Sequence, residues 1–303
     1  MPQAARVSII IVSWNGQRYL ESCLPTVFAQ DFTDFEVILV DNGSTDNSLA
    51  YVRAHFPQVR VIQNETNRGF AAANNQGIRA SSAEFLALLN NDTQVGVNWL
   101  RALVQAMISD PAVGMSAAKM VLTEQPGIID SAGIAIDRSG IAWGIAGGQR
   151  DGAAGTNRPA AIFGPSGGAA LYRRTMLDEI GLFDEDFFAY LEDVDLAWRA
   201  QWAGWKCLYV PTATVLHLHS ATSNQIPHFK SRLLGRNKLW LLCKNYPFPQ
   251  LIWYLPIILL YEALSLGYAW RQQRLGSAFA GRLAALPKIP LMLARRRRRG
   301  KTN

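Results

Sequence analysis

Four short, mainly apolar runs in the first third of the chain constrain its fold more than any other feature. They occupy residues 7–13, 35–40, 59–63 and 85–89. Runs of this kind are typical of strands that are buried on both faces of a parallel sheet. Between and after them, apolar residues recur at helical spacing, in residues 18–29, 48–55, 71–80 and 99–109. Strands and helices that alternate in this way predict a doubly wound α/β domain.

The regular pattern ends at about residue 113. Residues 127–168 are rich in glycine and show little periodicity, which indicates loops and short strands. Regular spacing then returns, with a strand predicted at 169–173, helices at 175–180 and 193–203, and a short strand at 206–211. We therefore divide the chain into an α/β half at 1–113, a second half of the same domain at 114–230, and a helical C-terminal region at 231–303.

A long apolar segment, Leu251–Trp270, dominates the C-terminal region. Its 20 residues include one charged side chain, Glu262, and its length matches the thickness of a bilayer. Pro256 and Gly267 argue against one continuous span, while its tryptophans and tyrosines are typical of membrane interfaces. With a second apolar stretch at 283–293, the segment predicts amphipathic helices that lie on the membrane or re-enter it. A buried helical hairpin in a soluble protein is the alternative.

Positive charge is concentrated at the C-terminus. The formal net charge is +7, of which Arg295–Arg299 and Lys301 supply six, so the rest of the chain is almost neutral. A neutral body argues against nucleic-acid binding, and a basic tail suits an anionic membrane surface. The three cysteines are far apart and form no CxxC pair, which argues against a disulfide framework or a zinc site. The N-terminus lacks the pattern of a signal peptide.

Polar residues follow the predicted strand at 85–89 without a break, namely Asn90, Asn91 and Asp92. Open α/β sheets place their ligand sites at the carboxyl ends of strands. A lone carboxylate there suits a hard cation, Mg²⁺ or Mn²⁺, that is held partly by the protein and partly by substrate phosphates. A strand that runs into an asparagine-rich turn would show the same composition, so this motif alone leaves both interpretations open.

Two further loops are candidates for nucleotide binding. Asp41 ends the second strand, where its carboxylate can accept a hydrogen bond from a base or ribose, although a turn and a helix cap would explain its neighbours. Arg68 and Gly69 precede the helix at 71–80 together with small residues, a combination that suits phosphate but also tight helix packing. The chain contains neither a GxGxxG fingerprint nor a P-loop motif, which argues against dinucleotide and P-loop chemistry.

Acidic side chains cluster after an aromatic run, at Glu192, Asp193 and Asp195. Helix capping explains part of this cluster, but aromatic neighbours can also desolvate a carboxylate and raise its pKa toward that of a useful base. Farther along, His217 and His219 would share one face of a strand, which makes His217 a candidate metal ligand. A purely structural histidine is the alternative.

The order of these motifs resembles that of the inverting glycosyltransferases of family 2, which have a GT-A fold. Within that family the chain is most similar to the bacterial rhamnosyltransferase-like enzymes of cell-surface polysaccharide assembly. The motifs that carry the resemblance are VSIIIVSWNG at 7–16, VDNGSTDNS at 40–48, NRGFAAANN at 67–75, LLNNDT at 88–93, GPSGGAALYRR at 164–174, GLFDEDFFAYLEDVDLAWRA at 181–200 and VLHLHSATS at 215–223. The resemblance implies a GT-A type doubly wound mixed sheet, followed by membrane-associated helices.

The resemblance also implies roles for individual residues in donor binding. Asp41 has the position of the family's nucleobase-binding acid, and Asn90, Asn91 and Asp92 have that of its Asp-X-Asp motif. Asp92 would bind the divalent cation and Asn90 would contact the ribose side. Asn90 departs from the usual first aspartate of the motif, which affects the predicted metal affinity but not the ligand position of Asp92.

Asp193 has the position of the family's catalytic base, and His217 has that of a second metal ligand in some members. The resemblance implies a nucleotide-sugar donor, with dTDP-rhamnose the best match and UDP-sugars next, and a saccharide or lipid-linked acceptor. The acceptor hydroxyl would displace the nucleotide in one step and invert the anomeric configuration. The sequence does not specify the oligomeric state.

Three other functions compete with this interpretation. A catalytically inactive nucleotide-sugar-binding module agrees with Asn90, but the presence of Asp92, Asp193 and His217 argues against it. An NAD-dependent oxidoreductase would need the missing glycine fingerprint. A structural membrane protein would not explain the polar residues at the strand ends.

Overall fold

A mixed β-sheet organises the first two thirds of the chain in the computed structural model, which describes residues 5–218 and 228–296. Its ten strands are β1 (Val7–Ser13), β2 (Phe35–Asp41), β3 (Arg60–Gln63), β4 (Phe85–Asn90), β5 (Thr93–Val95), β6 (Val113–Leu122), β7 (Ile129–Ser131), β10 (Ala160–Ile162), β11 (Ala169–Arg173) and β12 (Lys206–His217). A separate hairpin consists of β8 (Ile134–Ile136) and β9 (Ala142–Gly144). His219 and the basic residues from 297 onward lie outside the described residues.

Strands β4, β1, β2 and β3 form the parallel half of the sheet, in that order. The helices of this half are α1 (Gln17–Phe28), α2 (Ser48–His55), α3 (Gly69–Ala80) and α4 (Trp99–Ser109). Ser13 pairs with Asp41, and Val12 pairs with Asn90. The polar ends of β2 and β4 therefore lie at the same edge of the sheet, on either side of β1. The predicted doubly wound α/β fold is confirmed.

The second half of the sheet is mixed. β11 runs antiparallel between β4 and β6, and β12 pairs in parallel with β6 and antiparallel with β5 and β10. The helices of this half are α5 (Arg174–Ile180), a 3-10 turn at Glu185–Phe187, and α6 (Glu192–Trp202). Since β11 pairs directly with β4, the two sequence halves share one continuous sheet.

The predicted strand at 206–211 is too short. β12 continues through Pro211 to His217, with a register shift between Val210 and Thr214 where the strand bulges from β6. A proline has no N–H for a strand partner, but it is tolerated at a bulge. This extension brings His217 opposite Thr93, beside the end of β4.

Side chains alternate between two cores on opposite faces of the sheet, as the two-residue period of a strand requires. In β1, Ile9 and Ile11 pack on the face covered by α1 and α4, whereas Ile10 packs on the face covered by α3, α5 and α6. Each fully buried branched side chain contributes about 1.5–3 kcal/mol relative to exposure. Because helices cover both faces, the carboxyl ends of the parallel strands remain open for a ligand.

The C-terminal region is helical. Its elements are α7 (Phe229–Asn245), α8 (Phe248–Trp253), α9 (Leu255–Arg271), α10 (Leu275–Ala285), a 3-10 turn at Leu286–Lys288, and α11 (Ile289–Ala294). α7 packs against α6, α10 and α11 around a third core that includes Trp240, Leu241 and Phe187. This helix therefore joins the C-terminal region to the α/β domain.

The long apolar segment is divided between two helices rather than forming one. α8 ends at Trp253 and α9 begins at Leu255, with Pro256 in its first turn. Among the described residues, no helix combines the length and the hydrophobicity that a bilayer crossing needs. The described side chains of α9 are largely exposed, and only Ile258 and Ala269 are buried. The segment is therefore not the buried hairpin that the sequence left as an alternative.

Candidate active site

A cleft of about 540 Å³ lies at the carboxyl ends of the parallel strands. Five of the seven predicted site residues line it, namely Asn90, Asn91, Asp92, Asp193 and His217. They arrive from the end of β4, the first turn of α6 and the last residue of β12. The two remaining predicted residues, Asp41 and Arg68, are not among the residues that line the cleft.

Asp92 and His217 form a pair at the floor of the cleft. The backbone of Leu218 donates a hydrogen bond to the carbonyl of Asp92 at 3.0 Å, which fixes the end of β12 beside the end of β4. The Nε2 atom of His217 lies 3.3 Å from Oδ1 of Asp92, and its Nδ1 atom lies 2.7 Å from Oδ2 of Asp130. Burial alone would lower the pKa of His217, but the two carboxylates outweigh it and raise the pKa to about 9.

The oxygen and nitrogen atoms of Asp92 and His217 suit a divalent cation that is also held by a bound substrate. A carboxylate and an imidazole nitrogen converge at the cleft, and a second carboxylate orients the far side of the imidazole, as is common behind metal-bound histidines. Across residues 5–218 and 228–296, no three His, Cys, Asp or Glu side chains are grouped as a protein-only metal site. Mg²⁺ and Mn²⁺ commonly complete their coordination with phosphate oxygens and water, so the residues present fit such a cation.

Asp130 is a site residue that the sequence did not reveal. It lies in β7, a three-residue strand in the glycine-rich stretch, and lines the cleft. The one available signal is a single carboxylate between Ile129 and Ser131, which are both buried. Its partner His217 is 87 residues away, so no local pattern could connect the two.

Asp41 is completely buried at the end of β2. Its Oδ2 atom accepts a hydrogen bond from the backbone of Ser44 at 3.2 Å, whereas its Oδ1 atom has no hydrogen-bond partner in the described part of the chain. Leaving a buried acceptor unpaired costs about 1–3 kcal/mol. An additional donor from a ligand would remove that cost.

Arg68 contributes its backbone rather than its charge to this edge of the cleft. Its side chain is exposed, and its N–H donates to Oδ1 of Asn42 at 3.0 Å. Arg68 does not line the cleft; the residues that line it near this point are Asn42, Gly69 and Phe70. Gly69 has a φ of 85°, and an added Cβ atom would lie 2.6 Å from the ring of Phe188, so the N-terminus of α3 requires glycine there.

Asn90 and Asn91 have different surroundings. Asn91 is buried and donates a hydrogen bond from Nδ2 to the hydroxyl of Ser13 at 3.0 Å. The side chain of Asn90 is half-buried, and its backbone N–H donates to the carbonyl of Gly168 at 2.9 Å. Asn91 therefore joins the ends of β1 and β4, while Asn90 presents its amide to the cleft.

Asp193 projects into the cleft from the second residue of α6. Its Oδ2 atom accepts a hydrogen bond from the backbone of Gly167 at 3.0 Å, and its Oδ1 atom accepts one from Val194 at 2.8 Å. Burial raises the pKa of Asp193, and the two backbone donors limit the rise. The result is a carboxylate that is held in a fixed orientation and is more basic than a solvated one.

Glu192 and Asp195 differ from Asp193 in how the fold shifts their pKa values. Burial and the neighbouring charge of Asp193 raise the pKa of Glu192 well above its usual value. Burial of Asp195 acts in the same direction, but Arg199 at 3.0 Å and Lys244 at 2.9 Å outweigh it and lower the pKa of Asp195. Of the adjacent pair, Glu192 therefore has the more strongly raised pKa.

The loop before α6 has an unusual backbone. Phe188, Tyr190 and Leu191 have φ angles of 66°, 70° and 68°, although none is glycine. The N–H of Ala189 donates to the carbonyl of Phe187 at 2.8 Å, which closes a tight γ-turn centred on Phe188. Each such conformation costs about 1–3 kcal/mol and persists where the surroundings enforce it, often at functional sites.

The mixed sheet thus places a carboxylate and an imidazole at its strand ends and a second carboxylate at the same cleft. The sequence profile described as Glycosyl transferase family 2 matches residues 8–181. The chain belongs to that family, and the predicted resemblance is confirmed.

Comparison with individual proteins agrees with this family. The N-acetylglucosaminyl-diphospho-decaprenol L-rhamnosyltransferase of Mycobacterium tuberculosis is 31% identical over 240 residues, which is 71% of this chain and 76% of the relative. The chain is thus a rhamnosyltransferase-like member of family 2.

Two solved structures show the same fold. A mannosyltransferase from Pyrobaculum calidifontis, in complex with GDP-Man and Mn²⁺, has a TM-score of 0.60 at 19% identity, and the match covers 97% of this chain and 79% of that one. GalNAc-T7, with UDP, GalNAc and Mn²⁺, has a TM-score of 0.59 at 19% identity, over 80% of this chain and 51% of that one. The predicted GT-A fold is confirmed.

The raised pKa of Glu192 predicts a pH-dependent difference in stability. Because its folded-state pKa is raised, the neutral carboxyl stabilises the fold below its unfolded pKa near 4.5, and this contribution is lost as the pH rises through the folded-state pKa. Glu192→Gln mimics the neutral form. We expect its free energy of unfolding, relative to the wild type, to increase between about pH 5 and about pH 8 in urea titrations.

Asp195→Asn is the matched control for this measurement. The pKa of Asp195 is lowered, so its charged form stabilises the fold and the variant should be less stable than the wild type at about pH 8. That deficit should shrink as the pH falls through the folded-state pKa. A Glu192→Gln variant whose relative stability is the same at both pH values would contradict the assignment.

Proposed function

We propose that this protein is a metal-dependent inverting glycosyltransferase that transfers a sugar, best matched by L-rhamnose from dTDP-rhamnose, to a saccharide or lipid-linked acceptor. The observation that carries the proposal is the convergence of Asp193 with Asp92 and His217 on one cleft. The choice of rhamnose and of a lipid-linked acceptor is supported by the name of the relative from Mycobacterium tuberculosis.

Donor binding is proposed for the first half of the chain, residues 1–113. The unpaired Oδ1 atom of Asp41 would accept a hydrogen bond from the nucleobase or ribose, and the amides of Asn90 and Asn91 would flank the ribose. The N-terminus of α3, with Arg68 at its start, would face the phosphates, which helix N-termini favour.

Asp92 and His217 would hold Mg²⁺ or Mn²⁺, with Asp130 fixing the orientation of the imidazole. A divalent cation there supplies positive charge for the diphosphate leaving group. Both side chains are nearly buried, with 6% of Asp92 and 9% of His217 exposed. Because the pKa of His217 is raised to about 9, its imidazole would release a proton when it binds the cation.

Acceptor activation is proposed for the second half of the chain, residues 114–230. Asp193 would take the proton from an acceptor hydroxyl, whose oxygen forms the new bond to the anomeric carbon. The bond from that carbon to the diphosphate breaks in the same step, which inverts the configuration. The backbone donors at Gly167 and Val194 keep Asp193 aimed at the cleft throughout.

The first experiment measures release of nucleotide from a panel of donors that includes dTDP-rhamnose and UDP-sugars. Asp193→Asn keeps the shape of the side chain and removes its basicity, so we expect turnover to fall by about 10²–10⁴-fold while donor binding is retained. Asp178→Asn, at an exposed position of α5, is the control and should behave like the wild type.

Two results would overturn this assignment. A loss that lies entirely in donor affinity would mean that Asp193 is not the base. Nucleotide binding without turnover of any donor would favour the alternative of an inactive binding module. Turnover with UDP-sugars but not dTDP-rhamnose would replace rhamnose as the transferred sugar and leave the mechanism intact.

Metal dependence is tested by calorimetry of nucleoside diphosphate binding with Mn²⁺ present or chelated by EDTA. Asp92→Ala should abolish the Mn²⁺-dependent part of binding and turnover. Asp130→Asn should weaken the apparent Mn²⁺ affinity by about 10–100-fold and recover at high Mn²⁺, because it alters the orientation of His217 and not a direct ligand. Wild-type binding and turnover that EDTA does not change would contradict the proposed metal site. Asp110→Asn, whose carboxylate pairs with Lys206 away from the cleft, is the control.

We also propose that α8, α9 and α10 hold the enzyme on the cytoplasmic face of the bacterial inner membrane as a peripheral or re-entrant layer. Exposed side chains on these helices include Trp253 (80%), Trp270 (69%), Tyr268 (68%) and Leu264 (59%). A contiguous apolar surface of this kind is unusual on a monomeric soluble protein and marks an interaction site. The exposed cations Arg271 and Arg274 would lie near anionic headgroups.

Cosedimentation with vesicles of phosphatidylethanolamine and phosphatidylglycerol tests this surface. The wild type should pellet with the vesicles, and the double variant Trp253→Asp and Trp270→Asp should remain in the supernatant. Ile108→Asp replaces an apolar residue of α4 that is 50% exposed, and this variant should pellet like the wild type. A wild-type protein that stays in the supernatant, or that instead self-associates with increasing concentration, would contradict membrane binding.

A further inference from the structure

We propose that Asn237, in the C-terminal helix α7, is a positioning residue for Asp193. The inference rests on the proposed role of Asp193 as the base, and it assigns to the C-terminal region a part in catalysis. Asn237 lies beyond residues 8–181 and does not line the cleft. It would act through the loop at 187–191.

Asn237 is completely buried, and its amide is directed at the backbone of this loop. Its Nδ2 atom donates to the carbonyl oxygens of Phe187 at 2.9 Å, Ala189 at 2.9 Å and Tyr190 at 2.7 Å. Its Oδ1 atom accepts a hydrogen bond from Arg236 at 2.9 Å, which fixes the orientation of the amide. One side chain thus gathers three carbonyl groups from four consecutive residues.

The loop needs an external partner because its conformation is locally unfavourable. Phe188, Tyr190 and Leu191 all have positive φ angles, and none is glycine. This conformation turns the carbonyl groups of Phe187, Ala189 and Tyr190 toward the side chain of Asn237 in α7. The buried amide has two hydrogens for these three acceptors, so at least one hydrogen is shared between two carbonyls.

The conformation of the loop sets the start of the helix that carries Asp193. Leu191 immediately precedes α6, and its carbonyl accepts the N–H of Asp195 at 3.0 Å in the first turn. A change in the backbone at 190–191 would therefore rotate the first turn of α6. It would also move Asp193 relative to its donor at Gly167 and to the cleft.

Contacts on both sides confine the loop. On the side of the first half of the chain, the N–H of Ala71 in α3 donates to the carbonyl of Phe188 at 3.1 Å. On the other side, α7 contacts α6 a second time, because Asn245 donates to Asp195 at 2.7 Å. Arg236 of α7 also donates to the carbonyls of Asp186 at 3.2 Å and Phe187 at 2.8 Å. Asn237 additionally bonds the strained part of the loop at Ala189 and Tyr190, so its removal should disturb the loop more than the rest of α6.

A double-mutant cycle with Asp193→Asn tests the proposal. In the wild-type background, Asn237→Ala should lower kcat by up to about 10²-fold, the cost of a small misplacement of a catalytic group, with the donor KM within about twofold. In the Asp193→Asn background the same substitution should cost no more than about twofold, because the group it positions has already been inactivated.

Gln30→Ala is the matched control. Gln30 is also a buried amide that donates to backbone carbonyls, those of Thr26 and Gly96, but it lies between α1 and α4. Its loss should lower the thermal midpoint without changing kcat. If Asn237→Ala does not yield folded protein, Asn237→Ser, which keeps one donor, enters the same cycle and should give a smaller effect of the same form.

The outcomes separate this proposal from the proposed function. Equal losses of kcat in both backgrounds, or an unchanged kcat in the folded Asn237 variant beside a deficient Asp193→Asn variant, would overturn the positioning role alone. Full turnover by Asp193→Asn would overturn the proposed base itself.

Discussion

The double pairing of β4 is the constraint on which the rest of the structure depends. This strand pairs in parallel with β1 on one side and antiparallel with β11 on the other, so it joins the two halves of the chain into one sheet. Its apolar residues are buried on both faces, which leaves Asn90–Asp92 to emerge at the edge. The residues proposed to bind the sugar donor and those proposed to activate the acceptor meet in one cleft, because both halves of the sheet pair with this strand.

Much of the parallel half could be predicted from the sequence, since strands buried on both faces require apolar runs that few other structures need. β6 was missed because its ten residues include a glycine, a serine and a lysine, which hide a buried strand. β12 was predicted too short because Pro211 looks like a stop, and only the neighbouring strands show that a bulge accommodates it.

Site residues could be predicted from the sequence where the neighbouring residues mark the end of a strand or the start of a helix. Asp92 and Asp193 stand at a strand end and a helix start, and both reach the cleft. The contacts that orient them were not predictable, because Asp130 and Asn237 lie 87 and 47 to 50 residues from their partners. The side chain of Arg68 is exposed, and its backbone N–H bonds Asn42, which lines the cleft. The assigned roles themselves remain predictions.

The bulge in β12 determines which face of the sheet His217 occupies. Val210 pairs with Ala118 and Thr214 with Lys119, so three residues of β12 have no counterpart on β6. An odd number of extra residues reverses the alternation of side chains, and accordingly Cys207 packs in one core while Val215 packs in the opposite one. The number of residues in this bulge therefore determines which side chains of β12 after the bulge point to which face of the sheet. The bulge thus places the imidazole of His217 on the side of the sheet where the carboxylates of Asp92 and Asp130 lie within 3.3 Å and 2.7 Å.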